Sequence, residues 1–457
     1  MSRTTAEVVI CGAGIGGVAA AYHLTRRGIT DVTLVDERPA LSLTSDKSAE
    51  SYRNWWPGPG DAMVAVMNRS IDLLEELARE SDNVFLMNRR GYLFATAQPE
   101  QIERYLRAAE DAAAHGAGPV RVHGTRGSDY RPAPGTGFED QPTGSDVITD
   151  HEVIRRHFPY LAEDTVALLH ARRCGWFSGQ QLGMYMLERA RDKGVRLVEG
   201  RVERVETAGG RVSGVKVSGR DGTRTIAAPR FVNAAGPFVK NVGRLLGVDL
   251  PVFCERHAKV AFHDTLGVVP RHAPMMIWTD PVRLPWSDEE RAELAESASL
   301  RYLLDEMPAG VHGRPEGGGD SPIMLGVWTY DVEPMEPRFP VEFDPAFAEI
   351  VLRGLSRPLP GLTAYLSRLP KSFVDGGYYT KTRENRFLSG PLPVDGAYVL
   401  GALSGYGMMS SNGAADLLAD YVAERPLPRY AAAFHPDRYR DPAYRELLDS
   451  WGDSGQL

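Results

Sequence analysis

The chain has 457 residues, 43% hydrophobic and 25% charged, with a formal net charge of −8 and a pI near 5.8. That length exceeds one compact core and predicts two or three domains, and 47 glycines with 32 prolines predict many loops. The acidic balance lacks any offsetting basic stretch, which argues against nucleic-acid or anionic-membrane partners, and no apolar run of about 18 residues is available to span a bilayer.

Taken in order, the chain first shows Val8-Val9-Ile10-Cys11, an apolar run that reads as a buried parallel strand. Gly12-x-Gly14-x-x-Gly17 follows and opens an Ala-rich helix, Val18 to Arg27, closed by Gly28. Gly12 permits a tight turn, Gly14 lets the backbone approach a pyrophosphate, and Gly17 lets the helix pack closely on the strand. Ile15 and Gly16 complete that turn. A second strand, Val32 to Val35, ends at Asp36, 24 residues beyond Gly12 and near the spacing at which an acid accepts ribose hydroxyls. Glu37 and Arg38 come next. An acid there disfavours a 2′-phosphate, so FAD or NAD is expected rather than NADP, and this motif leaves the two open.

Leu41 to Arg53 is rich in hydroxyls and reads either as a phosphate-binding loop or as a surface turn. Trp55-Trp56, before Pro57-Gly58, are expected in a core or pocket wall. A helix is predicted from Asp61 to Ser81, paired strands over 84–87 and 91–95, a helix over 99–115, and a long loop over 124–148. A helix near 150–157 and another over 179–193 precede strands at 195–198 and 201–205 and a hairpin-like 212–217, a return to the parallel α/β pattern. Phe231-Val232-Asn233 then runs into Ala234-Ala235-Gly236-Pro237, small residues that let backbone come close to a ligand. From 251 to 370 irregular strands and one polar helix, 288–307, are expected, the helix as a solvated lid or partner-facing element. Tyr398 to Leu403 reads as a strand passing into Ser404 to Gly413, followed by a helix over 414–422. Two glycine-rich strand-to-helix junctions at opposite ends of the chain point to one large cofactor gripped from both sides, which favours FAD.

With these motifs assembled, the sequence resembles the D-amino-acid oxidase superfamily, in its glycine oxidase, sarcosine oxidase and dimethylglycine dehydrogenase-like branch. The resemblance spans nearly the whole chain and rests on the first fingerprint with Asp36, Thr44-Ser45-Asp46-Lys47-Ser48-Ala49 with Arg53, Val232 to Pro237, Tyr379-Thr380-Lys381-Thr382, and Ser404 to Met408. It implies that Thr44, Ser45, Lys47 and Ser48 hold FAD, that Val202 meets the adenosine end through its backbone, that Ala235 and Gly236 line the cofactor, and that Gly405, Tyr406, Gly407, Met408 and Met409 face the isoalloxazine. The implied reaction removes a hydride from a carbon next to an amine nitrogen. Three departures qualify it. Met324 stands where sarcosine oxidases place a lysine that assists reaction with oxygen, Gly377 where some attach flavin through a cysteine, and Met409 where a lysine binds substrate carboxylate.

The expected fold is therefore a two-domain α/β flavoprotein. A Rossmann-like FAD domain is assigned to 1–82, 150–250 and 375–430, a substrate domain with a mixed sheet to 83–149 and 251–374, and a tail to 431–457. FAD is expected to be non-covalent, the substrate a small amine or amino-acid-like molecule, and the electron acceptor something other than oxygen. Arg53 is the main candidate carboxylate clamp, with His257, Lys259, Tyr330 and Tyr379 as further candidates for contact with substrate. Oxidation of a 2-hydroxy acid with His257 as base, and a flavin-binding protein docking a carrier through the 288–307 helix, are the alternatives. Cys11, Cys174 and Cys254, odd in number and widely spaced, fit a reducing compartment, and a first strand starting by Val8 leaves no room for a signal peptide; a cytoplasmic location is expected.

Overall fold

In the computed structural model, which describes residues 4–56, 59–124, 129–220, 222–319, 321–449 and 451, Val8–Cys11 is a fully buried strand inside a six-stranded sheet. The sheet order is Leu388–Pro391, Ala397–Gly401, Arg230–Asn233, Val8–Cys11, Val32–Asp36, Arg196–Glu199. All neighbours are parallel except the outer hairpin strand Leu388–Pro391. Continuous Val/Ile runs suit strands covered on both faces. The helices Ile15–Arg26, Ala62–Glu80, Gly179–Asp192 and Gly407–Val422 bury their apolar sides on one face. A three-stranded antiparallel meander, Arg201–Ala208, Arg211–Gly219 and Gly222–Ala227, closes the other through Val202, Val205, Val215 and Val217. Register places Cys11 level with both Val35 and Asn233, so three central strands finish together at one edge.

A second, ten-stranded mixed sheet takes its strands from 92–171 and 253–381. Its longest pair, Phe253–His263 and Ser372–Lys381, runs antiparallel with Glu255 opposite Tyr379, His257 opposite Gly377 and Lys259 opposite Asp375. The amphipathic helix Phe347–Leu355 packs on this sheet through Ile350, Val351 and Leu355.

Several sequence expectations are corrected. Residues 84–87 form no strand; Tyr92–Thr96 pairs instead with Ala167–Ala171 and Met275–Trp278. The expected 124–148 loop, of which 125–128 lie outside the described residues, ends in the strand Ser145–Ile148, whose buried Asp146 is held by Arg121, His123 and Arg172. The segment 201–227 is an antiparallel meander and does not continue the parallel pattern. The polar helix stops at Glu296, and the helix Phe347–Leu355 was not anticipated. The last long helix starts at Gly407, seven residues earlier than expected, because the glycine motif is itself its first turn. Strand pairing also places 167–171 and 375–381 in the second sheet, although both stretches were assigned to the cofactor domain. Trp55 and Trp56 are buried as expected, while Pro57 and Gly58 lie outside the described residues. Among the described residues, no helix is long and apolar enough to cross a membrane.

Candidate active site

A cavity of about 590 Å³ runs from the level ends of the first sheet to the crossing strands of the second. Its first end is built by the opening fingerprint. Gly12 has φ +106°, and a β-carbon there would sit 2.4 Å from the Ala234 carbonyl oxygen, so this turn requires glycine. Gly14, Ile15 and Gly16 line the cavity at the start of the helix Ile15–Arg26, where backbone N–H groups are free of helical partners. The Ile15 N–H donates to Ser45 Oγ at 2.9 Å, tying the hydroxyl-rich loop over the turn. Asp36 accepts from the Ala13 and Arg38 N–H groups at 2.7 and 2.9 Å, and burial raises its pKa. Glu37, Arg38 and Val202 flank it on the cavity wall.

Thr44, Ser45, Lys47 and Ser48 of the hydroxyl-rich loop, and Ala235 and Gly236 after the strand Arg230–Asn233, also line the cavity. Lys47 bridges Asp46 at 2.6 Å and Asp375 at 3.1 Å; burial pulls its pKa down, but the two carboxylates outweigh it and raise the value. The far end carries His257, Lys259, Gly377, Tyr379, Gly405, Gly407 and Met408. His257 lies flat on Tyr379, with ring centroids 3.7 Å apart and planes at 15°. Gly405 supports that pair from behind: a β-carbon there would be 2.4 Å from the Tyr379 ring. His257 Nε2 is 3.1 Å from Glu255, which also pairs with Lys381 at 3.0 Å. Burial lowers the pKa of His257, partly opposed by Glu255, and raises that of Tyr379 to about 12. Lys259 donates to the Ser48 carbonyl at 2.7 Å, and burial lowers its pKa.

Five sequence candidates stand away from this cavity. Gly17 packs against Gly12 beneath the turn. Arg53 is buried with its guanidinium 4.1 Å over the Trp56 ring, and burial lowers its pKa. Tyr330 stacks on Phe347 and meets Trp328 edge-on in the second core. Tyr406 turns into Trp56 and donates to the Asn385 carbonyl, and Met409 is buried in the first core, its carbonyl accepting from Ser70. Met324 is buried among the apolar residues of the second core.

Two features went unread in the sequence. Ala402 and Ser404, both on the cavity wall, have φ +54° and +50°. The buried hydroxyls of Thr44 and Ser404 have no hydrogen-bond partner among the described residues, and both residues line the cavity. Buried hydroxyls are ordinarily satisfied, so two orphans lining one cavity fit a polar ligand within it. An acid at one end, a helix N-terminus beside it, and an aromatic, glycine-lined pocket at the other fit an elongated dinucleotide with a flat ring system.

The family profile described as FAD dependent oxidoreductase (DAO) matches residues 7–421. Mitochondrial dimethylglycine dehydrogenases of Rattus norvegicus and Homo sapiens are 26% identical to this chain over 266 residues, a match that covers 56% of the chain and 26% of those proteins. The chain therefore aligns with about a quarter of the length of these relatives. In structure it resembles L-proline dehydrogenase from P. horikoshii, with a TM-score of 0.72 at 19% identity, covering 96% of this chain and 98% of that one. Glycine oxidase from Geobacillus kaustophilus gives a TM-score of 0.71 at 16% identity, covering 95% and 99%. The profile match takes in both glycine junctions and the crossing strands between them, and on it the chain belongs to the DAO family of FAD-dependent oxidoreductases.

Proposed function

We propose that the chain is an FAD-dependent amine or amino-acid oxidoreductase that removes a hydride from the carbon next to the substrate nitrogen. The observation that carries this reading is the single cavity joining the fingerprint and Asp36 to the wall of His257, Lys259 and Tyr379. In this reading Gly12, Gly14, Ile15 and Gly16 cradle the pyrophosphate, Asp36 takes the ribose, and Thr44, Ser45, Ser48 and Ser404 supply hydrogen bonds along the length. FAD, held without a covalent bond at Gly377, supplies the two-electron acceptor when bound. The stacked His257–Tyr379 pair orients the substrate and excludes water, and Lys259 fixes the 44–50 loop over it. The similarity to proteins named dimethylglycine dehydrogenase, L-proline dehydrogenase and glycine oxidase supports an amine or amino acid as substrate.

An acceptor other than oxygen is the preferred reading. Met324 puts an apolar core residue where the resemblance expects a cation, and the nearby ammonium of Lys259 is engaged by Ser48. Anaerobic mixing with dimethylglycine, sarcosine, glycine and L-proline is expected to bleach the flavin with at least one of them, and admission of air to reoxidise it slowly. Fast stoichiometric peroxide overturns the dehydrogenase reading, and no bleaching overturns the amine. One observation favours a second reading: His257, kept neutral by burial and 3.1 Å from Glu255, has the form of a base for a hydroxyl substrate. Bleaching by 2-hydroxy acids alone would select it.

A further inference from the structure

The cavity lies between two sheets, and residues 334–343 cross one seam between them. The segment leaves the second sheet at Pro334–Met335, opposite Glu255 and Cys254, and returns to it through the helix Phe347–Leu355. Midway, Phe339 meets three residues of the cavity wall. Its ring is tilted on Phe238 with centroids 5.9 Å apart, stands edge-on to Tyr378 at 5.5 Å, and has the Arg38 guanidinium 5.5 Å over it. Arg38 and Phe238 follow strands of the first sheet, Val32–Asp36 and Arg230–Asn233, whereas Tyr378 belongs to Ser372–Lys381 of the second. Phe339 is half-buried between exposed Arg338 and Pro340 and does not line the cavity itself, so it fastens these wall residues from the solvent side.

Few bonds hold the segment down. Among the described residues, the backbone of 336–343 makes no hydrogen bond to other backbone. The hydroxyl of buried Tyr378 donates to the Arg338 carbonyl at 2.8 Å and accepts from the Arg338 N–H at 2.9 Å, Arg256 donates to the Glu342 carbonyl at 2.8 Å, and Phe343 packs where Gly376 leaves room for its ring. A stretch tied by side chains alone opens at a lower free energy than the sheets it joins. Elsewhere the crossing strands reach the 44–48 loop through polar ties, Lys47 to Asp375 and Lys259 to Ser48. Phe339 adds a tie to the residues that follow two central strands of the first sheet.

We infer that residues 334–343 are a clasp over the cofactor, and that Phe339 must leave Arg38 and Phe238 before the two sheets part to admit or release FAD. The inference is independent of which substrate the enzyme oxidises. All of the clasp's partners are protein groups, so it closes over a loaded and an empty cavity alike. Loosening it therefore lowers the barrier in both directions and leaves the affinity for FAD nearly unchanged, whereas a contact made only in the loaded state would slow release alone.

The test measures FAD exchange by flavin fluorescence, as release from the loaded protein on dilution and as uptake by the full-length apoprotein over a range of FAD concentrations. Phe339→Ala is expected to speed release and uptake together by about tenfold, the scale set by one aromatic and one cation–π contact, with Kd held within about threefold. Tyr378→Phe keeps the wall ring and removes only the hydroxyl that ties Arg338, and is expected to speed both by about threefold, the scale of a weak hydrogen bond. This second variant decides the matter if Phe339→Ala fails to fold. Unchanged rates in Tyr378→Phe, or faster release with unchanged uptake and a matching loss of affinity in either variant, overturns the clasp.

Discussion

Gly12 and His257 mark the two ends of the cavity, and each carries a distinct test. Alanine at position 12 would have to hold φ +106° and a contact of 2.4 Å with the Ala234 carbonyl, strain on the order of 1–3 kcal/mol that the turn can shed only by moving away from the phosphate position. Gly12→Ala is therefore expected to weaken FAD about tenfold or more, read as flavin lost on gel filtration and as a raised dissociation constant for added FAD. His257 tests the opposite end through pH. Burial sets its folded pKa below the unfolded value of about 6.5, so below that value the unfolded chain binds the extra proton and stability falls as the pH drops. The wild type should lose more of its melting temperature between pH 7.5 and 5.5 than His257→Gln, and equal losses would remove the argument. Most of the first end was legible because glycine spacing encodes a backbone path directly. Arg53 was not: its guanidinium lies over Trp56, three residues on, and nothing in the order of letters distinguishes that stack from a clamp on substrate.

Among the elements, the legible ones are those whose period matches their burial. Ala62–Glu80, Gln101–Ala114 and Gly179–Asp192 fall within two residues of their expected bounds, because each carries an apolar stripe at helical spacing. Residues 84–87 show how the same reasoning fails. Phe85 and Met87 are buried and Val84 and Leu86 exposed, the alternation of a strand, yet Asn83 and Leu86 have positive φ and the segment coils without a ladder partner. Burial alternates there without extension. The C-terminal segment, read only as a tail, is the largest omission. Phe434 stacks on Phe387 at 4.0 Å, and Arg438 forms a buried ion pair with Glu384 at 2.7 Å. These contacts join residues about fifty apart and have no local signature. Glu384→Ala leaves a buried guanidinium without its carboxylate and is expected to lower stability by about 3–5 kcal/mol, measured by denaturant titration. The conservative Glu384→Gln should recover part of this by accepting a hydrogen bond. No loss in Glu384→Ala would mean that the segment is not docked as described.

For the whole molecule, the cavity belongs to neither sheet alone. The first sheet supplies the fingerprint, Asp36 and the Gly405 junction, while the crossing pair Phe253–His263 and Ser372–Lys381 supplies His257, Lys259 and Tyr379 from the second. A ligand filling such a cavity stabilises every part that must be folded to hold it, by RT ln(1 + [L]/Kd), about 2.7 kcal/mol at a free ligand concentration of 100 Kd. Removing FAD is therefore expected to lower the melting temperature of both sheets and not of the first alone. Scanning calorimetry of the apo and FAD-loaded protein can decide this: the core around Ile10, Leu34 and Leu418 also takes in Phe94, Leu169 and Ile277 from one face of the second sheet, while a distinct cluster around Trp278, Val351 and Leu355 covers its other face. If the two unfold together, one transition moves up with FAD. If they unfold separately, both should move, the second by virtue of His257, Lys259 and Tyr379. A second transition indifferent to FAD would show that the crossing strands lie beside the cofactor without being braced by it. The proposed roles of those three residues would then have to rest on substrate alone.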